Sequence, residues 1–213
     1  MHRLGLLAAA CAAVYAAPAA VAATLAVAVK DGAAALSDAV VYALPLSGRL
    51  PPHGQPTAVI DQVNKEFVPL VSVIQTGTLV TLPNRDNIRH HVYSFSPPKV
   101  FELKLYSGIP AKPVLFDKPG LVVMGCNIHD TMIAYVMVVD TPWFAKSADD
   151  GTARIEGLPA GQYDVHVWHY RQADDTVLRD VKVDGDTALK TSLELRPGGA
   201  RPGAEAASRP STP

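Results

Sequence analysis

Cys126, His129 and Met132 lie in the segment MGCNIHDTM, residues 124–132, with the spacing C-x-x-H-x-x-M. A thiolate, an imidazole and a thioether are soft donors that could share a metal ion, and a thiol beside an imidazole could instead act as nucleophile and base. The apolar run KPGLVVMGC delivers the thiol and IAYVMVVD carries the chain away, which predicts a tight loop between two adjacent strands. Ligands on such a loop keep their geometry when the charge of a bound ion changes. Taken one at a time, a buried cysteine packs as a small hydrophobe and a methionine fills core. Their joint order and spacing is what points to a metal.

One Cys and two His in a trigonal plane, with a distant Met, is the ligand set of blue-copper electron-transfer centres. Zinc fits this mixture less well, because structural zinc sites prefer several Cys and His and seldom use Met. A second histidine is required, and TLPNRDNIRHHVYSF, residues 81–95, offers His90 and His91. His166 and His169 in VHVWHY fall on opposite faces of a strand, so they are expected in surface or interdomain packing. His53 lies in a Pro-rich connector and carries no signal.

The rest of the chain must position these groups. It has 213 residues, 48% hydrophobic and 18% charged, with Lys+Arg 19 against Asp+Glu 20. That composition buries a substantial core, and the balanced charge supports neither a nucleic-acid face nor a polybasic membrane patch. Residues 1–23 have Arg3, an apolar middle and small residues, the layout of a cleaved secretory signal ending near Ala22 or Ala23. A membrane anchor is disfavoured by the Ala-rich composition and Pro18, and a lipoprotein signal at Cys11 by the lack of a large apolar residue three positions before it. The expected destination is the periplasm, with no stable membrane insertion after cleavage. Cys11 leaves with the signal, so Cys126 stands alone in an oxidising compartment and can form no internal disulfide.

The pattern is β throughout. LAVAV and AVVYAL read as strands parted by the turn at Asp31-Gly32, and residues 45–56 as a Pro- and Gly-rich connector. The β pattern resumes at Phe67, with Gly77 as a turn, and continues through HVYSF, KVFELKLY, PVLFDKPGLVVMGC and MIAYVMVVD. The segment DDGTARIEGLPAGQYDVHVWHY reads as a Gly-turned hairpin, TVLRDVKVDGDTALKTSLELR as two further strands, and residues 197–213 as a disordered tail. No segment has a helical period, which predicts an all-β sandwich or small barrel. MIAYVMVVD is apolar at both parities, so its outer face must be covered. The strands before residue 50 and after residue 145 are therefore expected to form a small sandwich, on which an inserted central region packs.

Two resemblances bear on this division. VAVKDGAAALSDAVVYALP with DDGTARIEGLPAGQYDVHVWH resembles a carboxypeptidase-regulatory or transthyretin-like sandwich, covering residues 24–50 and 141–196. Within residues 51–140, the part from about Phe67 to Val139 resembles the cupredoxins, amicyanin and the plastocyanins in particular, through Asn84 followed by His90 and through the C-x-x-H-x-x-M loop. It is also similar to cupredoxin-like proteins of methylamine utilisation. The resemblance implies one type 1 copper, with His90, Cys126 and His129 as equatorial ligands and Met132 as the axial one. Leu82 stands where the family has Trp, and His91 where it has the Asn that ties the ligand loops together. His91 is thus a rival ligand, but His90 places Val92 at the family's core-facing parity. The resemblance further implies a transient redox protein partner docking at the edge of His129, within an apolar patch drawn from Pro97, Pro98, Ile109 and Ile128.

Three functions fit these residues. The first is a one-electron carrier that is not an enzyme. The second is a copper-binding module for storage or delivery, disfavoured because Met124, Met132 and Met137 form no Met-rich run. The third is an enzyme using Cys126 and His129, for which no oxyanion arrangement is evident.

Overall fold

Alternation of β-branched and aromatic residues with polar ones drives residues 22–196, the part the computed structural model describes, into strands without any helix. The expected signal segment, but for its last two residues, and the expected tail lie outside the described residues. The first strands are β1 (Ala23–Asp31), β2 (Ala34–Ala35), β3 (Val40–Pro45), β4 (Thr57–Val59), β5 (Asp61–Val63) and β6 (Glu66–Val68). Next come β7 (Val71–Gln75), β8 (Thr78–Thr81), β9 (His90–Ser96), β10 (Lys99–Tyr106), β11 (Val114–Phe116) and β12 (Gly120–Cys126). The last are β13 (His129–Val139), β14 (Phe144–Lys146), β15 (Thr152–Leu158), β16 (Gly161–Trp168), β17 (Thr176–Val183) and β18 (Thr187–Leu193).

These strands form open sheets, and among the described residues none closes into a barrel. Strands from the two ends of the chain pair with each other, in the orders β15-β1-β18 and β14-β3-β16-β17. Between these two sheets lies a core built from Leu25, Val27, Val41, Ile155, Val165 and their neighbours. The central strands form a sheet in the order β10-β9-β12-β13-β7, with β11-β8-β4 and the hairpin β5-β6 beside it. Their core includes Phe67, Leu82, Val92, Phe116, Val122 and Val136. Among the described residues no helix is long and apolar enough to cross a membrane.

β15 and β16 are not the hairpin that their sequence suggests. β15 pairs with β1, whereas β16 pairs with β3 and β17 in the other sheet. The link Pro159-Ala160 turns the chain between layers, and the Tyr163 hydroxyl fixes it by donating to the Pro159 carbonyl at 2.7 Å. Strand β4 and most of the hairpin β5-β6 precede Phe67, where the β pattern resumes in the sequence. Strands of three residues are too short to show a period.

β13 explains why one strand is apolar on both faces. Ala134, Val136 and Val138 point into the central core. Tyr135, Met137 and Val139 point the other way, into a third cluster shared with Val40 of β3 and Trp168 of β16. Tyr135 lies between Trp168 and Tyr170, with ring centroids 6.2 and 5.2 Å away. The Lys146 ammonium also crosses between the layers, donating to the Val71 carbonyl at 3.1 Å and pairing with Asp38 at 2.6 Å. Replacing Trp168 by Ala should therefore destabilise the protein by about 3–5 kcal/mol in urea unfolding. A loss under about 1 kcal/mol would mean that this cluster does not bind the layers together.

Candidate metal centre

The β9–β12 pairing builds the site. Cys126 pairs with Val92 and Gly125 with Tyr93. Residues directly opposite share a face, so the Cys126 thiol and Val92 both enter the central core, and His90, two residues from Val92, enters it as well. The two chain segments are tied by the Asn127 N–H, which donates to the His91 carbonyl at 2.9 Å. This bond needs only backbone, so the strands stay joined although position 91 lacks the Asn of the cupredoxin pattern.

β12 and β13 turn through Asn127 and Ile128, with Cys126 opposite His129. Gly125 lies opposite Ile133, so continued pairing would set Cys126 against Met132; instead Asp130, Thr131 and Met132 bulge out. The bulge returns His129 to the cysteine. Asp130 and Thr131 are exposed, while Met132 is 1% exposed and packs in the same core cluster as Cys126. Gly125 leaves room for the Tyr93 ring, whose Cζ and Oη would lie 3.0 Å from any added Cβ.

The outcome is a convergent donor set. His90 Nδ1 lies 3.7 Å and His129 Nδ1 3.6 Å from the Cys126 sulfur. The ligand atoms of His90, Cys126 and His129 all lie within 4.8 Å of one another, the one such group among the described residues. A metal with bonds of about 2.0 Å to nitrogen and 2.3 Å to sulfur, at angles of about 110–120°, sets N and S about 3.5–3.7 Å apart. The donors fit an ion.

The two histidines differ in setting. His90 is fully buried, and its Nε2 lies 2.8 Å from the Asp86 carboxylate. That carboxylate also accepts the N–H groups of Asn64 at 2.6 Å and Lys65 at 2.9 Å. Burial works to raise the Asp86 pKa, but the bonds from His90, Lys65 and Asn64 outweigh it and hold the carboxyl below its usual range. His129 is half-buried, and its imidazole is held below the ordinary histidine value by burial first, then by His90 and Lys65, against the pull of Asp86. A neutral ring keeps a lone pair for a metal. Under the site the Tyr106 hydroxyl donates to the Leu82 carbonyl at 2.7 Å, and burial lifts its pKa to about 12.

His91 faces the other side of the sheet, where its Nε2 lies 2.7 Å from Glu102. His166 pairs with Asp175 at 2.6 Å and stacks on Tyr42, whereas buried His169 accepts the Arg171 N–H at 3.2 Å; they do not converge. Ile128 and Ile109 are exposed, at 48% and 74%, and Ile109 follows Gly108, which is bonded to the Asn84 backbone. Pro97 and Pro98 do not belong with them. They end β9 at the pole opposite His90, about 20 Å away along a strand of seven residues, and Pro98 lies against Gly120 at the far end of β12. Nothing in the sequence singles out Asp86, Asn64 or Lys65, because a carboxylate four residues before a histidine marks no motif until a turn brings donors to it.

No protein family and no curated protein matches this chain. Solved structures do. A purple cupredoxin from Nitrosopumilus maritimus is similar at 24% identity and a TM-score of 0.34, over 39% of this chain and 98% of that one. An oxidised proline-to-alanine mutant of amicyanin is similar at 21% identity and a TM-score of 0.35, over 40% of this chain and 85% of that one. A Cu-containing nitrite reductase from Thermus scotoductus is similar at 24% identity and a TM-score of 0.37, over 45% of this chain but only 25% of that one. The solved structures that the chain resembles are cupredoxins.

Asn84 anchors the loop before His90. Its side-chain amide donates to the carbonyls of Ile88 at 2.8 Å and Tyr106 at 2.9 Å, and its oxygen accepts the Asp86 N–H at 3.0 Å. Asn84→Ala should cost about 1–3 kcal/mol in chemical denaturation by leaving these groups unpartnered. A fully stable variant would show that the loop holds its shape without this residue.

Proposed function

We propose that this protein is an exported type 1 copper protein that carries one electron at a time between protein partners. The observation that carries the reading is the approach of two imidazole nitrogens to within 3.6 and 3.7 Å of one buried thiol. His90, Cys126 and His129 would be the equatorial ligands, with Met132, on the same core, as the axial donor. Copper held there would supply one-electron exchange between its two oxidation states.

The chain's own residues do the rest. The β9–β12 pairing and the β12–β13 turn fix the donors before any ion arrives, so little reorganisation accompanies a change of charge. Burial of Cys126 and His90 excludes water and other ligands from the sulfur. His129 is the half-buried member and lies beside exposed Ile128, which gives a partner protein an apolar approach to one ligand edge. We assign this role to residues 51–140, with residues 24–50 and 141–196 as the supporting sandwich. The layout of residues 1–23 motivates export to the periplasm.

Storage or delivery of copper is the alternative reading, and a buried, preformed thiolate site argues against ready release. The copper-loaded protein should be intensely coloured and reversibly reducible, and Cys126→Ser should abolish the colour while leaving the far-ultraviolet circular dichroism unchanged. A copper-supplemented wild-type protein that stays colourless would sink the electron-carrier reading even if metal binds. His91→Asn should leave the absorption spectrum intact, because that ring is committed to Glu102; loss of the colour would transfer the ligand role to position 91.

A further inference from the structure

Two carboxylate–histidine pairs flank β9, and they are not equivalent. His91–Glu102 lies on the outer face of the sheet, with side chains 16% and 47% exposed. His90–Asp86 lies inside, with side chains 0% and 11% exposed. The inner carboxylate is also gripped from two further directions. Asn64 and Lys65, at the tip of β5-β6, both have positive φ, 54° and 62°, and turn their N–H groups onto its two oxygens. This is the backbone of a type I′ turn, the tightest way to reverse two strands and point consecutive amides to one side. The Asp86 N–H is itself held by the Asn84 side chain.

We propose that Asp86, clamped by the Asn64–Lys65 turn, is a positioning residue that fixes the His90 tautomer and biases the centre toward its oxidised state. The inference rests on the copper reading above. An ionised carboxylate can only accept, so the ring nitrogen 2.8 Å from it must be the one that carries hydrogen. Nε2–H is therefore the donor, and the lone pair is left on Nδ1, the nitrogen that faces the Cys126 sulfur. The same bond raises the basicity of the ring as a ligand. A fixed negative charge one imidazole away from the ion, in a site sheltered from water, stabilises the more highly charged metal over the less charged one. Asp86 touches no reacting atom and acts wholly through His90. The hairpin holds it there: without the two amides the carboxylate would be free to turn toward solvent.

The test pairs a metal-free measurement with a metal-loaded one. Ring ¹⁵N shifts of the metal-free protein should report His90 protonated at Nε2, and Asp86→Ala should lose that preference; a wild-type ring protonated at Nδ1 would overturn the tautomer assignment. Asp86→Asn keeps the size and the acceptor oxygen but removes the charge. In the copper-loaded protein it should weaken Cu(II) binding about 10-fold or more relative to Cu(I), read as a rise of about 59 mV in reduction potential for each tenfold. Glu102→Gln removes the same charge from the outer pair and should leave the potential nearly unmoved. A potential that stays put or falls in Asp86→Asn, or one that rises equally in Glu102→Gln, overturns the charge bias while the colour of the wild-type protein still supports the copper reading. A colourless wild-type protein removes the copper reading and the charge bias with it, and the ¹⁵N shifts then judge the tautomer alone.

Discussion

The pairing of β9 with β12 is the constraint on which the site depends. Only two residue pairs define it, Gly125 with Tyr93 and Cys126 with Val92, yet they decide which side chains share a face. A slip by one residue would turn His90 to the outer surface and His91 inward, because strand side chains alternate. It would exchange a ring held by a largely buried carboxylate, Asp86, for one held by an exposed Glu102. The register is secured by burial, since Val92 is fully buried and the slipped register would put His91 or Tyr93 in its place. The backbone bond from Asn127 to His91 then locks the turn that carries His129 to the same register.

The second requirement is rigidity behind the donor side chains. A strand that carries a thiol to the end of a sheet is only as fixed as its other face, and β13, the neighbour of β12, is covered on both. Its alternate residues fill the central core and the cluster shared with Val40 and Trp168. Strands drawn from both ends of the chain thus brace the central sheet from outside. The chain closes its two ends around the insertion, and the packing that results is long-range in sequence. This is why no local pattern reveals it.

The centre is also asymmetric in charge and access. His90 sits inside, with Asp86 behind it, while His129 sits toward solvent beside Ile128, with the charge of Lys65 near. One imidazole is anchored and the other reaches toward the surface. Exposed Ile128 adjoins the second in sequence, and the two prolines that sequence alone suggested for that surface stand at the far pole of β9.

Much of this was legible in the sequence. The alternation of apolar and polar residues specified strands throughout, the double-sided apolar run specified that β13 is covered, and C-x-x-H-x-x-M specified a strand-end turn carrying soft donors, because these depend on local period and local spacing. The cupredoxin resemblance also favoured His90 over His91, since it put Val92 at the family's core-facing parity. The tertiary structure alone decided the rest. It split β15 from β16 between two sheets through the corner at Pro159 and Tyr163, folded the three-residue strands of β5 and β6 into a hairpin, and brought its amides to Asp86. Those outcomes depend on which backbone donors meet which acceptors across long loops, and a donor 21 or 22 residues away leaves no mark on the spacing of the residues it restrains.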